Sequence, residues 1–293
     1  MLLSTQTDYT SARFGYEKSV EIIAAAGFDA IDFSMFRMVK PDDILATDVW
    51  KDETERVRRA AEKAHIGFNQ SHAPFNFPMH TDPEAYEKIV MPLTLRALEI
   101  SSMLGVKIMV AHPIHYKDYR RSRDEMHDKS IAYYRSLIPY CKKFGVKVAL
   151  ENMWQRNKLT GYIETDTCSC AEEFSDWIDE IGSEWIVGCL DIGHCGLTGE
   201  SASDAIRKIG NRRLRALHVH DNSHHADDHT LPGLGKIDWN EVTSALADIG
   251  YRGDFTFEAD NFLRMFNDDF IPDALKFMER RGRNLIKMIE KNG

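Results

Sequence analysis

Eight short β-rich runs alternate with longer amphipathic stretches from one end of the chain to the other, and nothing else in the sequence constrains the fold as tightly. The runs lie at residues 2–5, 30–33, 67–72, 107–112, 147–151, 186–191, 215–220 and 254–258, each followed by a helical stretch. In the first stretch Val20, Ile23, Ala24 and Gly27 recur at i, i+3, i+4 and i+7, and Val242, Ala245, Leu246 and Ile249 do the same in the seventh. Gly27 and Gly250 are placed to close these helices. Asp238 with Glu241, and Ser169 with Glu172, have the spacing of an N-cap and its capping-box acid.

Eight βα units in 293 residues, without a Pro/Gly/Ser-rich linker, predict an α/β protein that is a single (β/α)8 TIM barrel domain over residues 1–293. A doubly wound dinucleotide fold would carry G-x-G-x-x-G after its first strand, and that motif is missing here. Apolar residues make up 43% of the chain, which excludes disorder as its main state. No apolar run reaches the roughly 18 residues of a membrane span, and Met1 to Ser4 lead straight into polar sequence, so a soluble, cytoplasmic protein is expected. A formal charge of -9 disfavours a general polyanion partner such as nucleic acid. Five cysteines, with Cys168 and Cys170 too close for a framework and no C-x-x-C pair, describe neither a disulfide scaffold nor a structural zinc.

Catalytic groups of such a barrel belong at the C-terminal ends of its strands, where residues two apart point the same way. Val187, Cys189 and Asp191 share a face, as do Ala149 with Glu151, Ala216 with His218, and Thr256 with Glu258. The alternate faces carry Leu150, Leu190, Leu217, Val219, Phe255 and Phe257, which suit the helix side. The fifth to eighth strands therefore end in Glu151, Asp191, His218 and Glu258, converging on one axis. Three carboxylates and an imidazole crowded together call for a compensating cation, and a divalent metal (Mn, Mg, Co, Fe or Zn) is expected. His72 and His112 end the third and fourth strands; His194, Asp227 and His229 follow in later loops. These five are additional candidates for metal or substrate contact. Phe36, Phe75 and Trp154 are candidate apolar walls, with Phe75 and Phe77 equally able to pack their own loop. Lys117, Arg120, Arg121 and Arg123 could meet a phosphate or simply begin a helix.

The strings Ala149-Leu150-Glu151-Asn152, Cys189-Leu190-Asp191-Ile192-Gly193-His194, Leu217-His218-Val219-His220-Asp221-Asn222 and Pro232-Gly233-Leu234-Gly235-Lys236-Ile237-Asp238-Trp239, followed by Phe257-Glu258, together resemble the xylose isomerase-like TIM barrel superfamily. That superfamily holds sugar and sugar-phosphate isomerases and epimerases, inosose dehydratases and isomerases, and the endonuclease IV branch of abasic-site repair. The likeness to its ketose 3-epimerases implies one divalent metal on Glu151, Asp191, His218 and Glu258, with the two glutamates as acid and base. His229 stands where those epimerases carry an arginine three residues before Pro-Gly, so their substrate contacts do not transfer directly.

The likeness to the endonuclease IV branch implies up to three zincs, on His72, His112 and Glu151; on Glu151, Asp191, His218 and Glu258; and on His194, Asp227 and His229. The expectation favoured by the acidic charge is a metal-dependent isomerase or epimerase. It acts on a small sugar, sugar phosphate or inosose through a metal-stabilised enediolate, with His194 holding the enediolate oxygen. The alternative is an endonuclease IV-like trinuclear zinc phosphodiesterase acting on abasic DNA. The arginine clusters at 212–215 and 280–283 are expected away from the barrel mouth, where they cannot track a DNA backbone. Similarity to the family also implies a dimer or tetramer.

Overall fold

A computed structural model describes residues 1–75, 83–115 and 118–293. Its strands are β1 (Leu3–Gln6), β2 (Ala30–Ser34), β3 (Gly67–His72), β4 (Ile108–Ala111), β5 (Lys147–Glu151), β6 (Trp154–Arg156), β7 (Ile163–Thr165), β8 (Ile186–Asp191), β9 (Leu214–His218) and β10 (Phe255–Phe257). Eight of them pair in parallel in the order β10-β1-β2-β3-β4-β5-β8-β9. The ring closes through Val219, whose N–H donates to Thr256 O at 2.9 Å and whose carbonyl accepts from Glu258 N–H at 3.1 Å. The (β/α)8 TIM barrel read from the alternation is the observed fold.

Side-chain size follows the strand faces. Val110, Ala149, Val187, Cys189 and Ala216 pack together as a cluster of small residues inside the ring. Leu150, Leu190, Leu217, Val219, Phe255 and Phe257 are buried in the larger core beneath the helices. Fully burying one such side chain is worth about 1.5–3 kcal/mol, so the outer layer supplies most of the apolar stabilisation. The last helix, Ile271–Asn292, lies close over β1 and β10 because Gly282 has no side chain there. A Cβ would come within 2.4 Å of Leu3 Cδ1 and 2.8 Å of Phe257 Cε2. Among the described residues, no helix is long and apolar enough to cross a membrane.

Two local expectations are corrected, and one element is new. The seventh strand stops at His218 rather than at residue 220, because Val219 leaves the β8 ladder to bridge β10. Ser169 caps nothing at the helix Ala171–Ile181: Cys170 is the N-cap residue, without a side-chain bond, and Glu173 instead accepts from Cys168 N–H at 2.9 Å. The antiparallel β6–β7 hairpin was not anticipated, since each strand has three residues and one face in solvent. The cap at Asp238 does form, accepting from Asn240 N–H and Glu241 N–H at 3.0 and 3.2 Å. Gly27 ends its helix in the left-handed conformation, φ 100°.

Candidate metal centre

The ends of β5, β8 and β9 and the residue after β10 deliver Glu151, Asp191, His218 and Glu258 to one point. One ligand atom from each lies within 4.8 Å of the others, and all four residues are buried. His218 Nδ1 is 2.6 Å from Glu151 Oε1 and 3.1 Å from Glu258 Oε2. Asn152 ties β5 to β8, accepting from Asp191 N–H at 2.7 Å and donating to Asp191 O at 3.0 Å. Asp191 is also the N-cap of the helix Ile192–Thr198, its Oδ1 accepting from His194 N–H at 2.9 Å.

Three carboxylates and one imidazole gathered this closely could hold a divalent cation. Burial alone would raise the Glu151 carboxyl, yet the His218, His112 and His72 rings reverse this and hold it well below the usual carboxylate range. Glu258 is likewise held low against its burial, chiefly by His218. Burial pulls the His218 imidazole down, but the Glu258 and Glu151 carboxylates more than restore it, so its value lies well above normal. In the chain alone the His218 ring and the two glutamates each favour the other's charged form, a role that a cation would take over on binding. Behind the ring, His218 Nε2 lies 3.7 Å from Asp32 Oδ2, and Gln70 Nε2 donates to that same oxygen at 3.1 Å. Both His218 Nε2 and Asp32 Oδ1 are buried without a hydrogen-bond partner among the described residues. Asp32 thus stands behind the His218 ring as a nearby buried carboxylate, outside hydrogen-bond distance of it.

Two further groups flank the quartet. His72 and His112 meet Glu151 Oε2 through their Nε2 atoms at 3.4 and 3.1 Å, and burial lowers the His112 value to about 4. His194, His220, Asp227 and His229 form the second group. Asp227 Oδ2 lies 3.0 Å from His229 Nε2 and 3.5 Å from His194 Nε2, while His220 Nε2 is 3.0 Å from Asp191 Oδ1. His220 and His229 stack at 3.9 Å. His229 rises to about 10 as Asp227 overcomes the effect of burial.

Asp221 builds the loop that returns these residues to the mouth. Its carboxylate accepts from Gly233 N–H (2.7 Å), Ile237 N–H (3.1 Å) and the Trp239 indole (2.9 Å). The Pro-Gly-Leu-Gly motif therefore acts through its backbone.

A cavity of about 540 Å³ opens over the quartet, lined by Glu151, Glu258, His112, His194, Asp227 and His229. The three expected apolar residues line it too. Phe36 packs edge-on to Phe75 (4.7 Å) and His72 (4.5 Å), and the Trp154 indole donates to Asp227 Oδ2 at 3.2 Å. Phe77 and Lys117 lie outside the described residues. Arg120, Arg121 and Arg123 line no part of this cavity and pair with Glu164, Asp118 and Glu173.

Sequence reasoning missed His220 and Asp32 as members of the site, and Asp8 and Asp260 as lining residues. His220 lies two residues beyond His218, and Asp32 is in phase with Ala30 and Ser34 on β2; that spacing was the available signal. Burial raises the carboxyls of both Asp8 and Asp260.

The family described as a xylose isomerase-like TIM barrel matches residues 20–281. A D-psicose 3-epimerase of Enterocloster bolteae is 28% identical over 81% of this chain and 74% of its own length. An inosose isomerase of Bacillus velezensis is 21% identical over 80% of each chain. Among solved structures, a D-tagatose 3-epimerase-like protein superposes with a TM-score of 0.76 at 19% identity, covering 99% of both chains. The IOLI protein with a bound zinc atom does so with a TM-score of 0.72 at 18% identity, covering 100% of this chain and 99% of that one. Fold, strand-end residues and matched length agree: the chain belongs to the xylose isomerase-like TIM barrel family.

Proposed function

We propose that this chain is a divalent-metal-dependent isomerase or epimerase acting on a small α-hydroxy ketone sugar or an inosose. The observation that carries the reading is the buried convergence of Glu151, Asp191, His218 and Glu258 under a small cavity walled by Phe36, Phe75 and Trp154. Relatives that are sugar epimerases and inosose isomerases support it. A divalent cation on these four residues supplies Lewis-acid polarisation of the substrate carbonyl.

The chain's own residues do the rest. Glu151 and Glu258 both favour the ionised form in the chain alone, so the one that delivers a proton must first take it from solvent. One, as carboxylate, removes the carbon-bound proton and the other, protonated, delivers a different one to the opposite face, giving epimerisation; delivery to the neighbouring carbon gives isomerisation. His194 receives the developing oxyanion, its ring oriented by Nδ1 against Asn152 O at 2.7 Å. The aromatic walls exclude water from the intermediate.

The test is solvent deuterium incorporation at the acidic carbon across a panel of ketoses and inososes. Parent enzyme should exchange, and Glu151→Gln and Glu258→Gln should slow exchange by about 10²–10⁴-fold. Unchanged exchange in both variants would refute the assignment.

The groups His72–His112–Glu151 and His194–His220–Asp227–His229 favour a second reading, a trinuclear zinc phosphodiesterase acting on abasic DNA. Metal content separates the two: about one ion per chain for the first reading and about three zincs for the second. Nicking of an abasic duplex would favour the second.

A further inference from the structure

The sugar reading assigns no role to the part of the cavity wall that follows β1 and β10. These strands are neighbours, and Gln6 at the end of β1 with Asp8, Asp260 and Arg264 beyond the strands line the cavity next to Glu258. Asp260 is only 5% exposed. Its Oδ2 accepts from Tyr9 N–H at 2.7 Å, while its Oδ1 is buried with no hydrogen-bond partner among the described residues. Asp8 precedes Tyr9 and is half-buried beside it. A carboxylate oxygen accepts and does not donate, and leaving one buried without a donor is costly. One proton shared between the two carboxyls would still leave oxygens in need of donors.

The class of ligand follows from what this corner lacks. It needs hydrogen-bond donors, and polyol hydroxyls provide them. A phosphate presents mainly acceptor oxygens and negative charge, which oppose two acidic residues at short range. Arg264, which also lines the cavity, lies over the Tyr9 ring at 5.8 Å, and together with Arg37 and His72 it does not outweigh the burial that raises the Asp8 carboxyl.

The geometry points to a hydroxyl-recognition subsite formed by Asp8 and Asp260, which takes O–H groups of an uncharged polyhydroxylated substrate and rejects a phosphate at the same place. The assignment rests on the sugar reading for its reaction, but not for its binding test.

Two measurements on the full-length, manganese-loaded chain decide it. The first compares deuterium incorporation into neutral ketoses and inososes with incorporation into their monophosphates. The parent should favour the neutral compounds by about 100-fold in kcat/KM. Asp8→Asn and Asp260→Asn should raise KM for them about tenfold, the worth of roughly one hydrogen bond, with kcat changed by less than about twofold. The second is calorimetric titration with a neutral cyclic polyol, with its amine and with its phosphate. The parent should bind the neutral compound best, and each variant should weaken that binding about tenfold.

If no panel member exchanges but these binding differences appear, the subsite stands and the isomerase reading falls. Equal or better handling of phosphates by the parent, tighter binding of the amine, absence of polyol binding, or variants with the parental KM would each overturn the subsite. Asp8→Asn, on the open side of the cavity, decides the matter alone should the buried Asp260 variant fail to fold.

Discussion

The two ends of the barrel carry opposite solutions to the same problem of placing charge. At the N-terminal end of the strands lies the larger hollow, about 860 Å³, lined by Lys107, Lys147, Arg212, Arg213 and Arg215 with Asp179 and Trp185. Its ionic contacts face water. Arg212 and Arg213 bind Asp179 at 2.7 and 2.5 Å, and Lys147 donates to Glu184 O at 2.6 Å. The mouth holds a smaller cavity of about 540 Å³, and beneath it Glu151, Asp191 and His218 are no more than 1% exposed. Six buried polar atoms there have no hydrogen-bond partner among the described residues: Asp32 Oδ1, Ser34 Oγ, His112 Nδ1, His218 Nε2, Asp227 Oδ1 and Asp260 Oδ1. No residue lining the floor has such an atom among the described residues. The larger hollow and the unsatisfied polar groups thus lie at opposite ends, and burial of a polar atom without a partner is unfavourable unless a ligand completes it.

The sharpest way to break this contrast is to remove charge at each end in turn. Asp191→Ala should lower manganese affinity by more than the roughly 10- to 100-fold expected of an outer-shell change, and exchange should be lost with it. The double variant Arg212→Ala/Arg213→Ala should leave metal affinity and exchange within about twofold, since its contacts are solvent-screened. Comparable losses in both would erase the distinction.

Asp32→Asn comes next. Without a carboxylate behind His218, metal affinity should drop about 10–100-fold by calorimetry while the circular dichroism spectrum stays parental. An unchanged affinity would reduce Asp32 to a structural acid.

Gly193→Ala tests how closely the mouth is packed, because its Cβ would fall 2.0 Å from His220 Cε1. A loss of about 1–3 kcal/mol in urea unfolding is expected, together with displacement of His220.

Metal affinity should also rise with pH. The raised His218 value means that binding expels a proton, so acidification favours the proton over the cation. Titrations in two buffers of different ionisation enthalpy should show this release.

The smallest effect belongs to the floor. Arg213, then Arg212, hold Asp179 at about 2. A depressed acid stabilises the fold above its unfolded value and loses that contribution as pH falls through the folded one. Asp179 is 41% exposed, so Asp179→Asn should cost less than about 1 kcal/mol, and added salt should shrink even that.

The same contrast explains what the sequence could reveal. Alternation along strands is a local property, so the inward series ending in Glu151, Asp191 and His218 could be read directly and is found in the ring. His220 escaped because its role depends on where the chain goes after β9. Val219 crosses to β10, and the side chain then enters the second ligand group through space left by Gly193. Asp32 escaped because an acid in mid-strand has no meaning until Gln70 and His218 approach it from two other strands. Asp260 carries no signal of its own in the sequence, and only the pairing of β1 with β10 places it against Tyr9 and the cavity. The Ser169 cap failed in the opposite sense. The capping spacing was present, but the Ser169 N–H donates to Asp166 O at 3.2 Å and Glu172 pairs with Lys208 at 2.7 Å.

One divalent cation is expected among the four strand-end residues. Crystals grown with manganese and measured at the manganese absorption edge should show an anomalous peak within coordination distance of Glu151, Asp191, His218 and Glu258. A clean map at that position, with the chain still exchanging substrate deuterium, would contradict it.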